Sequence, residues 1–161
     1  MVVGALYKDN ENAPSSGAVY ILTLPGENGD RKLQGETWTE DNMLTASDGA
    51  SGDRFGSSVA ISGDTLLVGA AEKDGWKGAA YIFVLAGDGS WDEGTRLIPI
   101  NEISSGDWFG WSVALSGDRA LIGARYSDEK GFDSGAAYIF HRMNGVWQEE
   151  AKLVPTDGAC H

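Results

Sequence analysis

The stretch Gly52-Asp-Arg-Phe-Gly-Ser-Ser-Val-Ala-Ile-Ser-Gly-Asp-Thr-Leu-Leu-Val-Gly-Ala70 returns almost intact at Gly106 to Ala124. Phe55 maps to Phe109, Asp64 to Asp118 and Gly69 to Gly123, each displaced by 54 positions. A self-similar period of this length marks an array of supersecondary units, each too small to bury its own apolar face and stacked on its neighbours.

Working outward, Gly78-Ala-Ala-Tyr-Ile-Phe is repeated as Gly135-Ala-Ala-Tyr-Ile-Phe and, upstream, as Gly17-Ala-Val-Tyr-Ile-Leu. Trp38, Trp91 and Trp147 each precede a leucine (Leu44, Leu97, Leu153) by six residues. The opening Met1-Val-Val-Gly-Ala-Leu-Tyr7 aligns with Leu66 to Glu72, so the sequence enters partway through a unit. The reading is one repeat-array domain over residues 1–161. Its units run approximately 1–51 (lacking a first strand), 52–105 and 106–155, and 156–161 starts a further one.

Each complete unit divides into four apolar runs separated by turn signals, which predicts four short antiparallel strands. In the first run Phe55, Ser57, Val59 and Ile61 alternate with Gly56, Ser58, Ala60 and Ser62; Phe109, Trp111, Val113 and Leu115 alternate likewise with small residues. One bulky and one small face suits a strand held between neighbouring sheets. The second runs, Thr65 to Ala71 and Arg119 to Ala124, are apolar on both faces and should be buried, with glycines that allow close backbone approach. The third runs, around Tyr81 and Tyr138, are still apolar, and the fourth, after Trp91 and Trp147, turn polar and belong outermost. Gly63-Asp64, Gly117-Asp118 and Asn144-Gly145 are hairpin signals, and Pro25 to Asp30 reads as a turn.

Composition excludes some roles. A formal charge of −12 and a pI near 4.4 disfavour nucleic acid and anionic membrane, whose phosphates need clustered Lys and Arg, and favour cations or basic surfaces. The single cysteine, Cys160, forms no intrachain disulfide, no apolar run has membrane-spanning length, and no Asn-x-Ser/Thr acceptor is present.

Residue by residue the chain resembles the FG-GAP repeat of the integrin alpha-chain amino-terminal propeller and its bacterial and algal relatives. Phe55-Gly56 and Phe109-Gly110 match the first signature pair; Gly69-Ala70, Gly123-Ala124 and Gly4-Ala5 match the second, with Ala71, Arg125 and Leu6 where the family often has Pro. The resemblance covers Met1 to Pro155. It implies an all-β, β-propeller-type array of four-stranded antiparallel blades, here incomplete at about three blades. It further implies a non-enzymatic recognition or cell-adhesion module, extracellular or at the cell surface, that binds a protein or carbohydrate ligand. The alternatives are a propeller accessory of a longer hydrolase or surface enzyme and a truncated fragment without independent function. An incomplete array exposes edges, so self-association is expected, with the Met1 to Tyr7 edge pairing to another subunit.

The resemblance also raises calcium, which the family holds in an Asp-rich loop between its FG and GAP strands. That loop is absent: the turns Ser62-Gly63-Asp64 and Ser116-Gly117-Asp118 bring one carboxylate each, too few for a hard cation, and Asp64 and Asp118 read as turn residues. No cofactor is assigned. The variable loops between second and third strands are the candidate ligand surface: Asp9, Asn10 and Glu11; Glu72, Asp74 and Trp76; Tyr126, Asp128, Glu129 and Asp133. Asp128 with Asp133 is the best pair for weak cation binding. Trp38, Trp91 and Trp147 recur at one repeat position and read as packing residues, whereas Trp76, Trp108 and Trp111 fall outside that pattern and offer flat apolar faces for a sugar. Catalysis finds no pattern. His141 and His161 lie in no nucleophile or zinc motif, and the adjacent Asp92 and Glu93 point to opposite faces of a strand.

Overall fold

The computed structural model describes residues 1–10, 13–23, 37–101, 103–129 and 131–156. The expected turn at Pro25 to Asp30, and Glu11, Cys160 and His161, lie outside them. The described residues form three antiparallel sheets and one helical turn. The first sheet holds β1 (Val2–Ala5), β2 (Ala18–Thr23) and β3 (Thr39–Leu44). The second runs β4 (Phe55–Ser62), β5 (Thr65–Ala70), β6 (Ala79–Leu85), β7 (Trp91–Leu97), and the third β8 (Phe109–Ser116), β9 (Arg119–Ala124), β10 (Ala136–Met143), β11 (Val146–Leu153). Sequence neighbours are sheet neighbours throughout, so each sheet is an up-and-down meander. Its hairpins use the predicted turns: Gly63 and Gly117 sit at φ 56° and 55°, and Asn144 and Gly145 at 52° and 80°, the left-handed pair that a tight two-residue turn requires.

The apolar cores lie between the sheets. Phe55, Leu66, Val68, Tyr81 and Phe83 of the second sheet meet Val19, Ile21 and Leu44 of the first. Phe109, Ile122, Tyr138 and Phe140 of the third meet Leu67, Ala80, Ile82 and Leu97 of the second. Phe55 stands edge-on to Tyr81 and Phe83 at 5.6 and 5.8 Å, and Phe109 repeats this with Tyr138 and Phe140 at 5.2 and 6.3 Å. Sheets packed face to face around shared cores are the arrangement of propeller blades. Two expectations are refined here. Every residue of β5 is buried because it is covered on both faces, whereas β9, with the same pattern, is buried only at Ala120, Ile122 and Ala124. Trp91 and Trp147 pack against the two cores as predicted, but Trp38 is 43% exposed.

Ser57 and Trp111 do not share the bulky face. Phe55 pairs with Ala70 and Ser58 with Gly69, so Gly56 and Ser57 form a two-residue bulge, as Gly110 and Trp111 do in β8. Two extra residues preserve the alternation, so Phe55, Val59 and Ile61 still face one way. Ser57 instead uses its hydroxyl to donate to the Gly69 carbonyl at 3.1 Å and to accept the Ala71 amide at 3.3 Å. The bulge also drives backbone into the sheet in front. A Cβ on Gly69 would lie 2.0 Å from the Gly110 oxygen, and one on Gly4 2.0 Å from the Gly56 oxygen.

Side chains at these glycines therefore separate the sheets. Gly69→Ala should destabilise the fold by about 3 kcal/mol or more in urea unfolding, since backbone must move. Gly123→Ala, whose Cβ meets only the Ser112 hydroxyl, should cost about 1–2 kcal/mol less, because a side-chain rotation relieves it.

Candidate functional site at the loop end of the array

In each sheet the loop from second to third strand and the segment leading to the next sheet emerge at the same end. After β5 the chain makes a single helical turn, α1 (Lys73–Trp76), where a loop was expected, with Asp74 and Gly75 left-handed at φ 55° and 70°. Trp76 follows at φ 65°, which turns its carbonyl toward the third sheet's lead-in, where it accepts the Gly106 and Trp108 amides at 3.1 and 3.0 Å. Ser15, at the equivalent place in the first unit, is left-handed at φ 52° and accepts the Arg54 amide at 3.3 Å. Asp133 is the third equivalent, at φ 55°. The Trp76 backbone is thus a joint between sheets, while its indole is 56% exposed at the surface.

Beneath this loop lies an ionic network that sequence reading missed. Lys73 is 3% exposed, and its Nζ donates to Asp53 Oδ2 at 2.8 Å and to the Asp48 carbonyl at 2.8 Å, with Asp48 Oδ2 at 3.4 Å. Tyr81 donates its hydroxyl to Asp48 Oδ1 at 2.8 Å, and Arg96 reaches both Asp48 Oδ2, at 3.2 Å, and Asp74. The hydrogen bond from Arg96 holds the Asp74 carboxyl below its ordinary range, and burial, reinforced by Asp48, pushes the Tyr81 hydroxyl up. The network fastens the lead-in loop, α1 and β7 together. The available signal was the recurring acid at Asp53 and Asp107, both buried and each accepting a backbone amide of its own turn at 2.7 and 2.9 Å. Asp74 also lines a cavity of about 260 Å³ with Lys77, Arg96, Ile98 and Ile103.

In the third unit Ser127 occupies the Lys73 position, and Lys152 pairs with Glu129 over the Tyr138 ring. Asp128 and Asp133 are brought together, but through the backbone: Asp128 Oδ1 accepts the Asp133 amide at 2.7 Å, closing the turn as Asp9 does for Ser15 at 2.8 Å. No cluster of three or more His, Cys, Asp or Glu suited to a metal occurs among the described residues.

The same unit gathers an aromatic group. Trp108 lies 5.1 Å from Trp111, with its ring tilted, and 5.1 Å from Tyr126, edge to face. The Arg125 guanidinium sits over Trp111 at 4.8 Å and over Tyr126 at 4.9 Å. In the second unit these positions are Arg54, Ser57, Ala71 and Glu72, where Arg54 and Glu72 form an ion pair at 2.7 Å and Arg54 covers Tyr7 at 5.0 Å. Trp108, Trp111 and Tyr126 were individually visible as candidates; Arg125 was noted only as a departure from the repeat's usual residue. Trp76, by contrast, joins the cluster through its backbone.

A family model described as FG-GAP repeat matches residues 38–83 and 91–140, more than half of the chain. None of the curated proteins matches it.

Lys73→Met leaves the buried Asp53 carboxylate without its cation and should cost about 3 kcal/mol in chemical denaturation, of which Asp53→Asn in the same chain should recover a part. Acid should loosen α1. Because the Asp74 carboxyl is depressed in the folded state, its contribution is present above the ordinary carboxylate range and is lost as pH falls through the folded value. Asp74→Asn should flatten that part of the pH–stability curve, and an unchanged curve would count against the Arg96 pairing.

Proposed function

Because the chain belongs to the FG-GAP repeat family, we propose that it is a non-enzymatic recognition module of the cell-adhesion type, binding a protein or carbohydrate ligand through the loop end of its propeller-like array. The observation that carries this reading is the cluster of Trp108, Trp111, Tyr126 and Arg125. Trp, Tyr and Arg are the residues in which binding energy concentrates, because each offers a large, stiff contact area with a polar edge. A guanidinium laid across two rings is pre-ordered, so little side-chain freedom remains to be lost on binding.

The placement supports the same reading. Arg125, Tyr126 and Trp76 sit on loops of differing length and composition, and Trp108 and Trp111 flank the start of β8, on strands that repeat almost unchanged, which is how recognition is carried on a rigid scaffold. Net charge points away from nucleic acid as the partner. No described helix is long and apolar enough to cross a membrane, and an extracellular or cell-surface location is the one typical of FG-GAP repeats.

A screen of neutral and acidic glycans and of cell-surface protein fractions, read by tryptophan fluorescence and surface capture, tests the proposal. For a ligand so found, Trp111→Ala and Arg125→Ala should each weaken binding at least ~10-fold with unchanged thermal stability. A ligand whose affinity ignores both changes binds elsewhere and overturns this assignment of the site.

A further inference from the structure

Lys73 holds the buried Asp53 carboxylate in the second unit, and the same place in the third unit belongs to Ser127. Lys8 stands there in the first unit, so the third alone gives up the ammonium. The acid is not given up with it. Asp107, the equivalent of Asp53, is 7% exposed, and its Oδ2 accepts the Ser104 amide at 2.9 Å as Asp53 Oδ2 accepts the Ala50 amide at 2.7 Å. Asp53 Oδ2 also receives the Lys73 ammonium at 2.8 Å, whereas Asp107 forms no ion pair with any described residue. Lys152, the register equivalent of Arg96, is committed to Glu129 and the Tyr138 ring. Ser127 is 3% exposed, and its hydroxyl hydrogen-bonds to no described residue. The third unit thus buries a carboxylate and a hydroxyl without the positive charge that accompanies them in the second, a costly arrangement unless a cation is supplied from outside the chain.

We propose that the third unit takes a monovalent cation of ammonium size, potassium or ammonium itself, between Asp107 and Ser127, where the second unit carries the head of its lysine. The second unit gives the size of the place: Lys73 Nζ stands 2.8 Å from Asp53 Oδ2 and from the Asp48 carbonyl, and 3.4 Å from Asp48 Oδ2. Calcium takes oxygens at about 2.3–2.6 Å and magnesium at about 2.0–2.1 Å, so a cage of this radius suits neither. Serine in place of lysine removes the ammonium and most of its alkyl stem and puts a hydroxyl oxygen, an ion ligand, where a methylene was. The net charge of −12 gathers small cations around the chain. The consequence reaches the aromatic cluster, because Asp107 precedes Trp108, Ser127 follows Tyr126, and the Asp107 carbonyl accepts the Tyr126 amide at 3.2 Å. An ion held by both side chains clamps the lead-in of β8 to the loop after β9.

Thermal unfolding of the full chain in chloride salts of matched ionic strength tests this. The midpoint should lie about 2–4 °C higher in potassium or ammonium chloride than in choline chloride, whose cation is too large to enter, and calcium should give no such gain. Ser127→Lys returns the ammonium within the chain, so it should raise the midpoint in choline chloride and abolish the potassium increment. Asp107→Asn should abolish the increment as well. Should that variant not fold, thallium(I), a stand-in for potassium, should show a bound resonance with the wild-type chain that potassium displaces and that Ser127→Lys lacks. Equal midpoints in all these salts would mean that water alone bridges Asp107 and Ser127, and would overturn the proposal. So would an increment from calcium alone, one that survives Ser127→Lys, or a Ser127→Lys chain less stable than wild type in choline chloride. No glycan or protein ligand enters these readouts, so the recognition proposal stands or falls separately.

Discussion

Where the Gly69 and Gly110 backbones meet, no side chain can intervene, and the rest of the array follows from that proximity. A β-sheet ordinarily packs on another at about 10 Å through interdigitated side chains. At this point backbone touches backbone, with the Gly110 oxygen 2.0 Å from where a Gly69 Cβ would stand. The bulge that advances Gly110 does so without disturbing the alternation on either side. Phe109 can therefore enter one core while Ser112 and Ala114 stay on the far face, and the same holds for Phe55, Ser58 and Ala60. Close backbone approach at the glycines beside bulkier apolar packing between the same sheets is the kind of contact that stacked propeller blades make.

Much of this was legible in the residues. The 54-residue displacement between equivalent positions, the four apolar runs and the turn pairs stated the meander and its boundaries, because strand faces and tight turns are local properties of a few neighbouring residues. The burial of Phe55, Tyr81, Phe109 and Tyr138 followed from their recurrence. The bulge was hidden for a physical reason: an insertion of two residues leaves the period of two intact, so Ser57 and Trp111 looked like members of a face. The difference between β5 and β9 was hidden too, since a strand's pattern reports which faces are apolar and nothing about what stands opposite.

The site was less visible because its contacts are long-range. Lys73 reaches acids 20 and 25 residues away in the chain, Asp53 and Asp48, and Arg96 returns from a strand end to both Asp48 and Asp74. No periodicity predicts such meetings. A buried ammonium surrounded by oxygens does locally what a bound cation does in other loops: it gathers carboxylates and carbonyls from separate segments around one positive charge. The aromatic cluster of the third unit was visible only as separate tryptophans and a tyrosine, until Arg125 laid across two of the rings connected them.

Ser15, Trp76 and Asp133 share one backbone conformation and have nothing else in common. At the two joints formed within the chain the linkage is made by a carbonyl oxygen, an atom every amino acid possesses, and the Trp76 side chain stays exposed. The array thereby separates two inheritances. What hinges one unit to the next at this position is written in the main chain, beside the apolar cores that fill the space between the sheets, while what the loop shows to its surroundings is written in side chains that the joint never reads. A hydroxyl stands at this position in one joint and an indole in the other, and both joints are made through the carbonyl oxygen. New surface chemistry can therefore accumulate in the loops of such a protein at little cost to its architecture.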